Sequence, residues 1–474
     1  MGNDRRLTRR SLLQGAGATI AAAILPARVG VAGDPPGPVM TRLSTYMSEA
    51  QGRALPGDVL EKAKQHILDT FAAIISGSEL APGRSAIQFA RAYGGEKVST
   101  IAASNVLCGP IEAALANGVM AHADETDDSW PSGWHPGCNV VPAALATGEK
   151  FAISGAQFVR AVALGYDIGA RMLMALRPGV FDTHKSTHSI GGVFGSAAAA
   201  GSAAGLNAQQ MRWLLDYTAQ QCSGVAAWTR DTDHIEKGFV FGGMPARSGV
   251  TSALLVQAGW NGVDDILSGD DNFLLANAPH GDANALIDKL GERYEIVRTS
   301  IKKWTVGTPI QAPLDALEIM LKRHSFEADQ VQEVIVRMDP RTSVVNNREM
   351  PDICIQHMIA VMLIDKTATF RSAHDKPRMK DPAILRHRAK VRLDPAAQPL
   401  LTVVLADGTR LGENVTAVLG TAENPMTRDQ VVAKCRELMA PVLGASAGAK
   451  LIERTLDLEN MKSIRELRPL LQRA

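Results

Sequence analysis

Cysteine is scarce. Five residues, Cys108, Cys138, Cys222, Cys354 and Cys435, are scattered along 474 positions, odd in number and never in a CxxC pair. That pattern excludes a disulfide framework and a zinc ribbon. Aromatic residues are only 5% of the chain, while alanine and glycine are abundant, which argues against an aromatic-rich sandwich and for closely packed helices. Net charge is lacking too: 50 basic residues stand against 49 acidic ones. A nucleic-acid binder wants a basic excess to neutralise phosphates, so no nucleic-acid partner is expected. Signature loops are missing as well: there is no GxSxG elbow, no P-loop, no HExxH, no flavin signature and no GxGxxG after a strand. Beyond the N-terminal segment, no stretch reaches the roughly 18 continuous apolar residues that a membrane span needs.

What is present is ordinary globular composition, with 46% apolar and 21% charged residues. The length suggests two or three domains. Residues 5–10 read RRLTRR and are followed by SLLQGAGATIAAAILPA, with small residues around Val31-Ala32-Gly33. A basic start, a weakly apolar run and a small-residue cleavage site describe an export signal. The Arg9-Arg10 pair before Ser11-Leu12-Leu13 resembles the twin-arginine type. Residues 1–33 are therefore expected to direct export to the periplasm, with cleavage near Ala32. The excess positive charge resides in this segment, and the mature protein is expected to have no membrane association.

From Leu55 onward the pattern is helical. Val59, Leu60, Ala63, Ile67, Phe71 and Ile74 recur at three- and four-residue steps, which places one face of a helix against a core. Ile111–Ala123, Gly155–Leu176, Val193–Ala204, Asn207–Gln221 and Ala246–Ala258 follow the same rule. Near residue 300 the character changes. Val334–Met338 is β-like, and Leu401–Leu405 and Val415–Val418 flank Asp407-Gly408, a hairpin signal. Ile355–Ile364 and Pro382–Lys390 are helical in pattern. After Pro425, Thr427 can cap another helix, and the tail 447–472 is helical. The expected fold is mainly α with an inserted α+β lid. A large helical domain takes residues 40–297 and 424–474, and a smaller α+β domain takes 298–423.

Chemistry concentrates in three clusters. Residues 122–138, HADETDDSWPSGWHPGC, place His122, Asp124, Glu125, Asp127, Asp128 and His135 together between two apolar helical stretches. Carboxylates and imidazoles at close range can divide acid and base roles. The same set suits a metal, or a solvated acidic loop with a helix cap. The second cluster runs from Asp182 through His184, Lys185, Ser186 and His188 into a Gly-rich helix entry, where free N–H groups favour a carboxylate. The third holds Arg230, Asp231, Asp233, His234, Glu236 and Lys237 ahead of Gly242-Gly243. Lys302-Lys303-Trp304 opens the α+β segment, and His357 lies alone on an apolar helix.

Taken together, these pieces resemble the 2-methylcitrate dehydratase family (MmgE/PrpD), which also contains cis-aconitate decarboxylase and iminodisuccinate epimerase. The resemblance rests on ILDTFAAIISG at 67–77, ANGVMAHADETDD at 116–128, HPG at 135–137, GGVFGSAAAAG at 191–201, the Lys237–Gly249 stretch and IDKTATFRSAHD at 364–375. It implies a helical domain with an α+β lid, a homodimer, a di- or tricarboxylate substrate, no metal and no organic cofactor. Carried over by position, it implies catalytic roles for Glu125, Asp127, His135, His188 and Lys237. It implies substrate contacts for Asp128, His184, Arg230, Lys302, Lys303 and His357. The family's histidine ahead of the Ala-rich helix falls on Ser186, with His184 or His188 in its stead, and its lid histidine falls on Gly307.

The expected reaction is removal of a proton α to a carboxylate by His135 or Glu125, with His188 or Asp127 protonating a leaving hydroxyl. Lys237 and Lys302 or Lys303 would hold carboxylates. That describes a hydro-lyase. Alternatives are an epimerase or isomerase, a decarboxylase, a catalytically silent carboxylate-binding protein, or a metal-dependent hydrolase built on the first cluster.

Overall fold

The computed structural model describes residues 35–131, 133–177, 183–396 and 398–473. The expected export signal at 1–33 and Asp182 of the second cluster lie outside the described residues. The helices of eight or more residues are α1 (Pro38–Glu49), α2 (Gly57–Gly77), α3 (Ala81–Tyr93), α4 (Pro110–Ala121), α5 (Gly137–Phe151), α6 (Gly155–Ala175), α7 (Thr187–Ala203), α8 (Ala208–Gln220), α9 (Met244–Gln257), α10 (Thr308–Arg323), α11 (Ile355–Asp365), α12 (Arg428–Leu443) and α13 (Ala445–Leu456). The strands are β1 (Ser99–Thr100), β2 (Leu107–Cys108), β3 (Val331–Met338), β4 (Val391–Pro395), β5 (Leu400–Leu405) and β6 (Arg410–Glu413). The protein is thus mainly α with a small α+β part.

Local chemistry explains several boundaries. Ser154 and Asn207 open α6 and α8 as capping boxes with Gln157 and Gln210, satisfying N–H groups that a helix start leaves free. Thr427 does the same for α12 with Gln430. From Ala63 to Gly77, α2 is buried on all sides, and α7 is buried along its whole length. Helix α7 tolerates that enclosure because its glycines let neighbours approach. A Cβ at Gly165 of α6 would stand 2.8 Å from the Gly195 carbonyl of α7, well inside contact distance, so the two backbones pack directly.

Two hydrophobic cores result. The first joins Met40–Ile301 with Met426–Leu471, so α12 and α13 return to the helical body. The second spans Trp304–Val403 and lies under a sheet of order β4-β3-β5-β6. Strand β3 pairs parallel with β4 and antiparallel with β5. A parallel neighbour requires a long crossover. Here the crossover is residues 339–390, which carry α11 and two residues that matter below, Asp352 and His374.

One expectation needs correcting. The hairpin partner of β5 is Arg410–Glu413, with Val404 opposite Arg410 and Leu401 opposite Glu413, and not Val415–Val418. Gly408, at φ +87°, makes the reversal so tight that pairing resumes at once, and a run seven residues further on falls outside the register. The apolar helical stretch expected after the HADETDD cluster is α5, with Pro142 accommodated inside it. The run Ile235–Gln257 is apolar and long enough to cross a membrane by composition, yet 67% of its most apolar 18-residue window is buried inside the protein, as befits a core segment.

Candidate active site

The loop between α4 and α5 is not a solvated one. His122, Asp124, Glu125, Thr126, Asp127 and Asp128 are each at most 2% exposed. Buried charges require partners, and the rest of the chain supplies them. Ser129 and Ser300 exchange backbone hydrogen bonds of 2.9 and 2.8 Å, which pins the loop to the segment that opens the α+β part. Lys434 of α12 donates to the Thr126 carbonyl at 3.0 Å and to Asp69 of α2 at 2.6 Å.

Two lysines converge on Glu125. Lys302 Nζ lies 2.7 Å from the Glu125 carbonyl and 3.3 Å from its Oε2. Lys237 Nζ bonds to Glu125 Oε1 and lies 2.9 Å from His122 Nε2. Glu125 has φ +55°, a left-handed conformation uncommon outside glycine, and it is retained in this buried setting. Lys237 is delivered by a short helix, Ile235–Gly238, that runs into a π turn at Phe239–Gly243. Such turns are frequent at functional sites. A Cβ on Gly242 of the π turn would collide with the Gly118 carbonyl of α4. Glycine there allows the backbone contact that sets Lys237 beside His122, at the end of α4.

The π turn also supplies a floor. Phe241 stacks on His188 with centroids 3.7 Å apart at 14° and on His122 at 4.4 Å and 26°. Lys237 Nζ lies 4.4 Å from the same ring. Trp228 meets His188 edge-on at 5.5 Å. His135 stands 4.9 Å from His122 and 5.3 Å from His188, centroid to centroid.

Charges are ordered around this floor. Asp127 takes His122 Nδ1 at 3.0 Å on both oxygens and lies 3.4 Å from His135 Nδ1. Burial pushes Asp127 up, but His122 and His135 outweigh it and hold the carboxyl well below its usual range. Burial drives His122 well below an ordinary imidazole, against the pull of Asp127. His188 is lowered likewise by burial, then by His135. Lys237 is held well below its normal value by burial, then by Lys302, and Lys302 is lowered by burial against the opposing pull of Asp127. Asp124, bonded by the Ser76 hydroxyl, rises to about 6, because burial outweighs the facing His374.

Of the residues expected from sequence, the fold gathers Glu125, Asp127, His135, His188, Lys237 and Lys302 into one cluster. Others go elsewhere. Asp128 turns away from the cluster and is bound by His66 Nδ1 and the Tyr166 hydroxyl, each at 2.6 Å, and by the Gly137 N–H at 2.8 Å. Lys303 bonds to Glu318 at 2.6 Å. Arg230 and His184 are exposed. His357 is buried in the second core with neither ring nitrogen hydrogen-bonded. Ser186 caps α7 through the Ser189 N–H. Two residues outside the three sequence clusters also reach the site. Asp352 faces His234 at 3.4 Å, and His374 Nε2 bonds to the Asp124 carbonyl at 2.9 Å. A lone acid between Pro351 and Ile353 in an apolar stretch was the available signal for Asp352, since such an acid needs a partner.

Among the described residues, two donor sets have the spacing of a metal site: His122, Asp127 and His135, and His122, Glu125 and His234. In the second, the Lys237 ammonium already sits on His122 and Glu125, so the chain provides its own cation there. The arrangement as a whole offers buried ammonium groups for an anion beside imidazoles for a proton.

Known proteins share this chain's pattern. Residues 41–284 match the MmgE/PrpD N-terminal domain, and residues 304–459 match the MmgE/PrpD C-terminal domain. Among curated relatives, human cis-aconitate decarboxylase is 24% identical over 87% of this chain and 90% of its own length. The cis-aconitate decarboxylase of Aspergillus terreus is 23% identical over 88% of this chain and 92% of its own. A cis-aconitate decarboxylase-like protein, oryM, of Aspergillus oryzae is 25% identical over 63% of this chain and 65% of its own length. With both domains of one family present in order across most of its length, the chain belongs to the MmgE/PrpD family.

Proposed function

We propose that this protein is a lyase acting on a di- or tricarboxylate, removing a proton beside a carboxylate with loss of water and without an organic cofactor. One observation carries the reading: Lys237 and Lys302 close on a single carboxylate, that of Glu125, beside His135 and His188 in a buried site. A substrate carboxylate takes the same two ammonium groups by displacing Glu125. In doing so it brings its α-carbon toward the imidazoles. His135 takes the proton, and Asp127 next to its Nδ1 supports the positive charge that develops. Negative charge accumulating on the carboxylate is met by the two lysines, and this is the largest contribution expected in a water-poor site. Asp127 stays ionised and does not act as the acid. His188, held neutral, gives its ring N–H proton to the leaving hydroxyl while its other nitrogen takes up the proton that the neighbouring His135 removed, so both imidazoles end neutral and water departs.

A second reading is decarboxylation of a cis-aconitate-like tricarboxylate. The relatives named above favour it. The two readings separate by product. Purified protein incubated with 2-methylcitrate, citrate and cis-aconitate and followed by proton NMR should yield a dehydrated acid from one of the hydroxy acids. Carbon dioxide from cis-aconitate would replace that reading with the second, and retention of every carbon and oxygen with inverted configuration would indicate epimerisation.

We further propose that the protein is exported by the twin-arginine route and works as a homodimer. Support comes from Arg9-Arg10 with the segment that follows and from family membership. Retention in the cytoplasmic fraction after Arg9-Arg10→Lys-Lys, and a dimer mass by light scattering, are the expected outcomes.

A further inference from the structure

His234 belongs to the third polar cluster, but the scheme above gives it no task. It has φ +64°, a conformation that costs a non-glycine residue about 1 kcal/mol or more. It is 5% exposed, and neither ring nitrogen has a hydrogen bond. Buried polar atoms are nearly always satisfied, and here each nitrogen has only a carboxylate at ion-pair distance and no well-formed hydrogen bond, which leaves the ring able to take a ligand. Their directions are informative. Nε2 lies 3.6 Å from Glu125 Oε1, the oxygen that Lys237 holds. Nδ1 lies 3.4 Å from Asp352 Oδ2.

Asp352 comes from the β3–β4 crossover of the α+β part. It is 3% exposed, and its Oδ2 also lacks a hydrogen bond. Its position is set by the chain: the Gly307 N–H donates to its carbonyl at 3.0 Å. His374 Nε2 stands 3.8 Å from the same Oδ2, and His374 is itself tied to the carbonyls of Phe370 and Asp124 at 2.7 and 2.9 Å. Burial pushes Asp352 up, but His234 outweighs it, with help from His374 and Lys237, and the carboxyl sits at about 2. It is a fixed negative charge behind His234. The other groups facing His234 are Glu125, Lys237 and the His122 ring, 5.4 Å away centroid to centroid.

The two ends of the His122 ring have different neighbours: its Nδ1 shares Asp127 with His135, while its Nε2 lies 3.7 Å from Glu125 Oε1, the oxygen that His234 Nε2 faces at 3.6 Å. A substrate with two carboxylates, held through one of them at Lys237 and Lys302 with its reacting carbon near His135, carries its second carboxylate toward the Nε2 end. We propose that His234 binds that second carboxylate and that Asp352, reaching over from the α+β part, is its positioning residue. The inference rests on the functional reading above and adds to it the residue that selects di- and tricarboxylates over monocarboxylates. A carboxylate behind one ring nitrogen fixes which nitrogen faces the ligand and supports positive charge on the ring.

The test is calorimetric binding of citrate, succinate and propionate to the full-length protein and to His234→Gln, Asp352→Asn and the double variant, with circular dichroism on each. Citrate and succinate affinity should fall about 10–100-fold in each single variant, the range seen when a supporting shell is lost. The double variant should be no weaker than His234→Gln, because Asp352 acts through that ring. Propionate binding should be unchanged throughout. If the wild type binds citrate and both single variants bind it equally well, the role of His234 is overturned while the functional reading stands. Additive losses in the double variant overturn the positioning role of Asp352. A wild type that binds no polycarboxylate overturns both readings. Should His234→Gln fail to fold, Asp352→Asn carries the same comparison.

Discussion

Lys302 Nζ lies 2.7 Å from the main-chain carbonyl of Glu125 and 3.3 Å from its carboxylate, linking the start of the α+β part to the buried loop of the helical body. The proposed capture of a substrate carboxylate depends on that junction and on its counterpart from Lys237.

Replacing Lys237 by alanine removes one of the two ammonium groups that meet the substrate carboxylate. The expected loss in kcat/KM is about 10²–10³-fold, the cost of deleting one preorganised charge-stabilising donor. Steady-state kinetics with a thermal unfolding control checks it, and unaltered turnover would remove Lys237 from the site.

Asp127 serves both His122 and His135. Asp127→Asn keeps the shape but loses the charge that orients two rings, and kcat should fall about 10²–10⁴-fold, the scale of positioned acid–base catalysis. Asp127→Glu should not restore it, because the longer arm cannot hold both Nδ1 atoms. Rate measurements on both variants at saturating substrate decide the point.

Neighbouring residues with similar chemistry have opposite fates. Asp128 is occupied by His66, Tyr166 and the Gly137 N–H. Tyr166→Phe should therefore cost stability, about 1–3 kcal/mol for a buried acceptor left short of a donor, and leave kcat nearly unchanged. Lys303 is spent on Glu318, so Lys303→Ala should change stability by no more than about 1 kcal/mol and leave turnover intact. Denaturant titration beside kinetics distinguishes the two pairs, Asp127 from Asp128 and Lys302 from Lys303.

These pairs also show how far the sequence could be read. The 3.6-residue recurrence through Val59–Ile74 and the capping residues Asn207 and Thr427 are local signals, and the helices they announce are present. HADETDD was legible as a dense site because so many charged groups in an apolar setting require partners. Which carboxylate faces which cation was not, since His66 and Tyr166 lie 62 and 38 residues from Asp128 and no local pattern encodes that. Helix α10 was missed for a related reason: Pro313 lies inside it, and tertiary burial overrides the propensity that proline signals. Asp352 and His374 reach the site only because a parallel sheet forces a long crossover past it.

His357 supplies a pH test. Burial, then Arg388 and Arg378, hold its imidazole down at about 4, against an ordinary 6.5. As pH falls through this window, the unfolded chain takes up the proton first, so folded-state stability is lost between about 6.5 and 4, by roughly 3 kcal/mol at 1.36 kcal/mol per unit. His357→Leu should flatten the dependence of Tm on pH across that window. An unchanged slope would mean that other groups govern it.

The central claim is carbon-acid chemistry at a carboxylate held by Lys237 and Lys302. Its most direct test is solvent deuterium incorporation. Wild-type protein and Lys237→Ala are each incubated in D₂O with citrate, 2-methylcitrate, cis-aconitate and hydroxysuccinate, and the carbon beside each carboxylate is followed by proton NMR. The account predicts exchange into at least one compound with the wild type and its loss with Lys237→Ala. Folded wild-type protein that exchanges none of them, or a Lys237→Ala variant that exchanges as fast as the wild type, would contradict it.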